Sequence, residues 1–348
     1  MNEHHLDERA RKLLKTLIES YIEEGRPVGS RTLAKRSGLG ISPATVRNVM
    51  MDLEEKGLVT SPHTSAGRIP TAGGYRLFVD SLMTPKPLPS YKVRWLKAQL
   101  TPDQTMESLL EAASGLLSGI THLAGVVMWP KKAFLSLRRV EFLSLPGNRV
   151  LAIMVLNERE VQSSIIETDR HYTARELEEA TSYLNRMYSG LNLFSIREGL
   201  LKEMKDARED MGRIMHAAVN MAEKVFNPEK DKDDYVLAGE ANLLDFVQQS
   251  NVDRLRGLFK AFNHKRDILH LLDRCMHSED VDILIGEESG YHVLEGYSVI
   301  TSPYKASGQA LGVVGVIGPT RMPYERIVPI VHTTAKLLGD ALSPQSSC

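Results

Sequence analysis

The chain has 348 residues and a formal charge of −1, from 43 lysines and arginines against 44 aspartates and glutamates. Hydrophobic residues make up 42% and charged residues 25%, enough core material for two or three domains, which excludes a disordered chain. Two cysteines, Cys275 and Cys348, exclude a disulfide framework and a four-cysteine zinc site, and no apolar run approaches the roughly 20 residues of a bilayer span.

The first 25 residues are charged and helix-patterned, unlike a signal peptide, so the expectation is a cytoplasmic protein with no membrane partner. Leu6 to Glu24 reads as an amphipathic helix with Leu13, Leu14, Leu17, Ile18 and Tyr21 on one stripe. Gly25 and Pro27 stop it. Ser30 caps a short second helix, Arg31 to Ser37, and Gly38 ends it. Ser42-Pro43 then sets a third start, with serine at the cap and proline at the first helical position. That helix runs from Pro43 to about Lys56.

On the third helix Val46, Val49, Met50 and Leu53 share one face, leaving Ala44, Thr45, Arg47, Asn48 and Met51 outside. Arginine suits guanine, asparagine suits adenine, and alanine or threonine suits the thymine methyl in a major groove. Two short helices joined by a glycine-containing turn match helix-turn-helix geometry. Leu58 to Thr60 reads as a strand, and the polar loop Ser61 to Pro70 leads into a second one. A hairpin after the recognition helix makes a winged helix.

From Arg26 to Arg76 eight cations stand against three acids, a local net charge of +5 on a near-neutral chain. Phosphate is the obvious partner for such a patch. A three-helix bundle without nucleic acid also fits the pattern, but it leaves the basic helix face and wing unexplained. The expected DNA contacts are Arg31, Lys35, Ser42, Ala44, Thr45, Arg47, Asn48, His63, Thr64 and Arg68. Thr45, Arg47 and Asn48 are assigned to bases, with Ala44 beside a thymine methyl. The others hold phosphates or enter the neighbouring groove.

Three segments carry a family resemblance. Ile41-Ser42-Pro43-Ala44-Thr45-Val46-Arg47-Asn48 leads into Met51, Leu53-Glu54 and Gly57. His63-Thr64-Ser65-Ala66-Gly67-Arg68-Ile69-Pro70-Thr71 is followed by Gly74-Tyr75-Arg76. Gly315-Val316-Ile317-Gly318-Pro319-Thr320-Arg321-Met322 and Tyr324 lie near the end. Together they resemble the HrcA family of heat-inducible transcription repressors, from the first helix to about Leu342. The resemblance implies an α+β multidomain protein: an N-terminal winged helix-turn-helix, a GAF-like α+β domain, and a mainly helical dimerisation segment inserted into it. It implies repression of chaperone operons of the chaperonin and DnaK type through double-stranded DNA, an inverted-repeat operator bound by a homodimer. It also implies that the chaperonin keeps the repressor active.

Beyond the winged helix, Thr84 to Pro89 carries three prolines and reads as a semi-rigid linker. A helix is expected at about Asp103 to Ser118. Strand-like runs follow at Ala124 to Trp129, Leu135 to Leu145, Val150 to Leu156 and Val161 to Glu167. Late strands are expected at Val281 to Ile285, Tyr297 to Thr301 and Ala310 to Ile317, then a helix at Glu325 to Leu342. Strands at both ends with helices between suit one α+β domain with an insertion. The expected division is residues 1–83 for the winged helix and 84–90 for the linker. Residues 91–171 and 248–343 form the GAF-like domain, 172–247 the insertion and 344–348 a tail.

Within the insertion Met204, Met211, Ile214 and Met221 belong to a heptad-spaced seam. It packs either inside a small bundle or across a dimer, and the spacing does not choose. Two-fold operators need a two-fold protein, so dimerisation is expected somewhere.

No sequence feature specifies catalysis. Gly308, Gly312, Gly315 and Gly318 match neither a P-loop nor a dinucleotide fingerprint. His270, Cys275 and His277 form no spaced metal motif, so neither metal nor other cofactor is expected. The chain therefore reads as non-enzymatic; that it is a repressor which loses activity on heat stress, when unfolded protein titrates the chaperonin, is what the resemblance implies. The alternatives are a ligand-sensing regulator with a small effector in the GAF-like domain, and an interaction protein using the winged helix for protein contacts.

Overall fold

A computed structural model describes residues 6–63, 67–130, 136–156, 160–168, 170–191, 196, 235–246, 252–306 and 308–343. Helix α1, Glu8–Glu24, starts at Asp7, whose side chain accepts from Ala10 N, and ends at Gly25 in the left-handed region. Helices α2, Ser30–Arg36, and α3, Pro43–Glu55, follow. Ser42 caps α3 through its Oγ, which accepts from Thr45 N at 3.1 Å. Leu13, Leu14, Leu17, Leu33, Val46 and Leu53 close the three-helix core and are all essentially inaccessible to solvent.

Strands β1, Val59–Thr60, and β2, Ile69–Pro70, pair antiparallel and form the stem of a wing. Val28 adds a third rung, exchanging two backbone bonds of 2.9 Å with Arg68. Helix α4, Ala72–Leu77, continues into a π-helical turn, Phe78–Leu82. Gly74 sits where a side chain would collide with the Leu58 carbonyl oxygen, so this site takes only glycine.

The expected linker is docked against the rest of the chain. Thr84 N donates to Glu325 Oε1 at 3.2 Å and Lys86 N to the Glu325 carbonyl at 3.4 Å. Next comes helix α5, Ser90–Gln99, which the sequence pattern missed; Pro89 stands at its N-cap and offers no side-chain cap. Helix α6, Met106–Thr121, is capped by Thr105 Oγ1 and starts three residues later than expected.

The central sheet has five antiparallel strands in the order β7-β3-β10-β9-β8. They are β3 Ala124–Met128, β7 Tyr235–Ala238, β8 Asp282–Ile285, β9 Tyr297–Ala306 and β10 Gln309–Pro319. Alternation splits its side chains between two layers. Val127, Ile300, Val314 and Val316 face the core shared with α6 and α10, Tyr324–Leu342. Val126, Val299, Val313 and Ile317 face α8, Val252–His264, and α9, Arg266–Cys275.

Two expectations about the insertion are corrected. Strands β4 Leu137–Leu145, β5 Arg149–Leu156 and β6 Glu160–Glu167 do not extend the central sheet. They form a separate three-stranded sheet with its own core, packed on α7, Ala174–Tyr188. Strand β7, expected to be part of a helical stretch, instead returns the chain to the edge of the central sheet beside β3. The departure from the central domain thus lies between β3 and β4 and the return lies before Tyr235, so the expected boundaries at 172 and 247 both move towards the N-terminus. Within residues 172–247 the described elements are α7, β7 and a 3-10 helix, Glu240–Phe246. Met204, Met211, Ile214 and Met221 lie outside the described residues.

Candidate nucleic-acid interface

Helix α3 separates its side chains by periodicity. Val46, Met50 and Leu53 point into the core, while Ala44, Arg47, Asn48, Met51, Asp52 and Glu55 are exposed. The exposed residues recur at spacings of three and four, one continuous stripe. Its first turns carry a methyl, a guanidinium and an amide; its last turn carries two carboxylates. The electrostatics of the stripe thus favour an anion at the N-terminal half, the end a recognition helix presents to a major groove. Met51, 49% exposed between the two halves, lies within the same stripe and was not among the expected contacts.

The expected contacts divide into those whose side chains are unengaged and those already bonded. Arg31, Lys35 and Arg47 are exposed, and none forms an ion pair among the described residues. Asn48 and Ala44 are exposed beside Arg47. His63 is exposed near the wing tip, where its carbonyl accepts from Ser61 Oγ at 2.7 Å. Thr64 lies outside the described residues.

Three side chains are committed within the protein. Ser42 Oγ caps α3 and lies 3.0 Å from Thr45 Oγ1, which is half-buried. Both hydroxyls therefore help to build the helix start as well as line it. Arg68 departs further from expectation. Its Nε and Nη2 reach Glu54 Oε2 at 2.9 and 2.7 Å, and its backbone is the rung beside Val28. This arginine fastens the base of the wing to α3 through its Nε and Nη2.

The same sorting applies to the whole basic segment. Arg36 bonds Ser20 Oγ at 3.0 Å, Glu23 at 3.2 Å and Glu24 at 2.7 Å. Arg76 is paired with Asp80 and Glu288. Arg26, Arg31, Lys35, Arg47 and Lys56 are the cations left exposed without an ion pair among the described residues. The surface charge offered to a ligand is thus concentrated on α2, α3 and their flanks.

No metal or nucleophile site competes for attention among the described residues. No group of three or more histidine, cysteine or acidic residues there could hold a metal ion. Cys275 is buried and its thiol is pushed up to about 11 by that burial. His270 Nδ1 instead lies 2.6 Å from Tyr291 Oη. No described helix is long and apolar enough to cross a membrane.

A three-helix module with an exposed polar-basic recognition stripe and a wing defines a winged-helix DNA-binding protein. Residues 5–82 match the family model for the winged helix-turn-helix transcription repressor HrcA DNA-binding domain. Residues 107–328 match the HrcA protein C-terminal domain. Relatives agree over nearly the full length. The heat-inducible transcription repressor HrcA of Methylococcus capsulatus is 48% identical over 98% of this chain and 97% of its own. That of Xanthomonas axonopodis pv. citri is 48% identical over 97% and 96%. The one from Xylella fastidiosa M23 is 45% identical over 97% of each. The chain belongs to the HrcA family of transcription repressors. A crystal structure of a hypothetical protein shares the fold, with a TM-score of 0.62 and 24% identity over 97% of this chain and 98% of that one. The central domain is α+β, a five-stranded antiparallel sheet with helices on both faces.

Proposed function

We propose that this chain represses chaperone operons of the chaperonin and DnaK type by binding an inverted-repeat operator as a dimer. The observation that carries this reading is the stripe Ala44, Arg47, Asn48 and Met51, flanked by Arg31 and Lys35 with no ion-pair partners among the described residues. Cations that fold without spending their charge are available to phosphates and guanine edges. Arg47 and Asn48 read bases, Ala44 lies beside a thymine methyl, and Thr45 and Ser42 shape the helix start. Arg31, Lys35 and the wing residues His63 and Thr64 hold the backbone.

A two-fold operator calls for a second copy of the chain, and the three-stranded sheet offers it a face. Leu143, Leu151 and Ile165 lie in register across β4, β5 and β6 on the side away from α7, with Val155 beside Val161. Leu143 is 49%, Ile165 59% and Val161 64% exposed. A contiguous apolar patch of this kind marks an interaction surface. Heat control in this reading is exerted by the chaperonin, which maintains the operator-competent form. Denatured protein competes for it, active repressor falls, and the operons are released; the relatives' name, heat-inducible, supports this.

The test is fluorescence anisotropy on a chaperonin-operon promoter duplex, a single half-site and a scrambled duplex, with and without purified chaperonin. The expected result is tight binding that needs both half-sites and a competent fraction that rises with chaperonin. Equal weak binding to all three duplexes from folded protein overturns operator recognition. An unchanged competent fraction overturns chaperonin control alone.

A further inference from the structure

Two motif segments far apart in sequence meet where the winged helix touches the GAF-like domain. Gly74-Tyr75-Arg76 lies within α4, and Thr320-Arg321-Met322-Pro323-Tyr324 leads from β10 into α10. Neither segment lies on the recognition stripe. Tyr75 and Tyr324, both buried, hold their rings 6.0 Å apart with planes at 48°. Arg321 Nη1 donates to the Ile22 carbonyl at 3.0 Å, capping the last turn of α1. Its guanidinium lies against Gly25, whose φ of 69° and lack of a side chain make room for it. Arg76 Nε donates to Glu288 Oε1 at 3.0 Å, and its Nη2 bonds both Glu288 Oε2 and the Ile283 carbonyl. Lys15 lies 3.8 Å from Glu325.

We infer that Arg76, Glu288 and Arg321 are positioning residues for operator binding. They fix the recognition helix relative to the GAF-like domain, so that two copies present their helices at one set spacing. A fork of guanidinium bonds constrains orientation as well as distance, which a lone apolar contact does not. Two polar anchors, Arg321 against α1 and the Arg76–Glu288 pair between α4 and the turn after β8, join the buried Tyr75–Tyr324 contact to fix a rigid body. When both helices are held in register, the second half-site binds intramolecularly at high effective concentration. A loosened joint lowers that concentration and leaves each winged helix intact. This inference rests on the dimeric operator reading.

The charges give the test its sign. Glu288→Gln removes a carboxylate from a DNA-binding protein, which by simple electrostatics raises affinity for DNA. The joint requires the opposite. Gln keeps an acceptor for Ile285 N, which Glu288 Oε2 receives at 3.0 Å, but places an amide N–H₂ against the guanidinium. The experiment measures Arg76→Gln, Glu288→Gln and the double variant in the full chain, on the two-site operator and on one half-site. The expected result is a loss of about tenfold or more on the full operator for each single variant. The double variant loses no more than either single one, and half-site affinity is unchanged. Opposite effects of the two single variants, summing near zero, overturn the proposal, as does an equal loss on the half-site. Hydrogen exchange on the same samples decides the matter if the chain is not a dimer. Faster exchange at Gly74–Asp80 with α3 still protected supports the joint, and unchanged exchange overturns it.

Discussion

The winged helix has two faces rich in arginine, and they use it in opposite ways. On the outer face Arg31 and Arg47 stand exposed without ion pairs among the described residues, in reach of a ligand. By contrast Arg36, exposed on α2, Arg68 at the base of the wing and Arg76 at the contact with the central domain are each held by one or more carboxylates. Composition makes these side chains equivalent, but their partners do not. A paired guanidinium commits some of its donors to a carboxylate, which offsets its charge locally. An unpaired one keeps its donors and charge available to an anionic ligand, with water and salt screening it meanwhile. The local charge of +5 is therefore a poor guide to the binding surface until each cation is assigned to one side.

Four comparisons, using five substitutions, break or sharpen this contrast. Tyr324→Ala, on the inward side, removes a fully buried ring that stacks on Tyr75 and bonds Thr320 O at 2.8 Å and Ser298 Oγ at 2.9 Å. It should cost about 3–5 kcal/mol of stability in denaturant unfolding. A cost below about 1 kcal/mol would mean that the two domains merely touch. Asn48→Ala, on the outward side, should leave stability unchanged. It should lose about 1–3 kcal/mol of operator affinity, with relaxed preference at one base. Ser42→Ala sits between the faces. Loss of the α3 cap should lower stability by about 1 kcal/mol, visible as a lower midpoint of unfolding.

The fourth and smallest effect is the cleanest comparison of charges. Lys35→Gln should flatten the dependence of log affinity on log salt by about 0.9 units and weaken all duplexes alike. Arg68→Gln removes the same formal charge. It should leave that slope nearly unchanged while loosening the wing, because its guanidinium is bound to Glu54. Equal slopes lost by both variants would remove the distinction between paired and unpaired cations.

The outward face was legible in the sequence because its signals are local. Ser42-Pro43 marks the start of α3, and spacings of three and four sort Val46 and Leu53 from Arg47 and Asn48. The inward pairings were not legible. Arg68 meets Glu54 across 14 positions and Arg76 meets Glu288 across 212, and nothing in the spacing couples them. The same limit explains the insertion. Alternation in β4 to β6 looks the same whether the strands join the central sheet or build another. Strand β7 has four residues, and its identity comes from pairing with β3. The linker prolines suggest a semi-rigid connector but carry no sign of the docking onto Glu325, which is again a tertiary contact.

The central claim is that the exposed N-terminal half of α3 reads DNA bases, and Arg47 is its most direct probe. The measurement is anisotropy of the wild-type chain and Arg47→Ala on the operator duplex and its scrambled counterpart, at matched salt. The recognition-face reading predicts a loss of about 5- to 150-fold on the operator with a much smaller loss on the scrambled duplex, so that the ratio between them collapses. An unchanged operator affinity and an unchanged ratio in Arg47→Ala would contradict it.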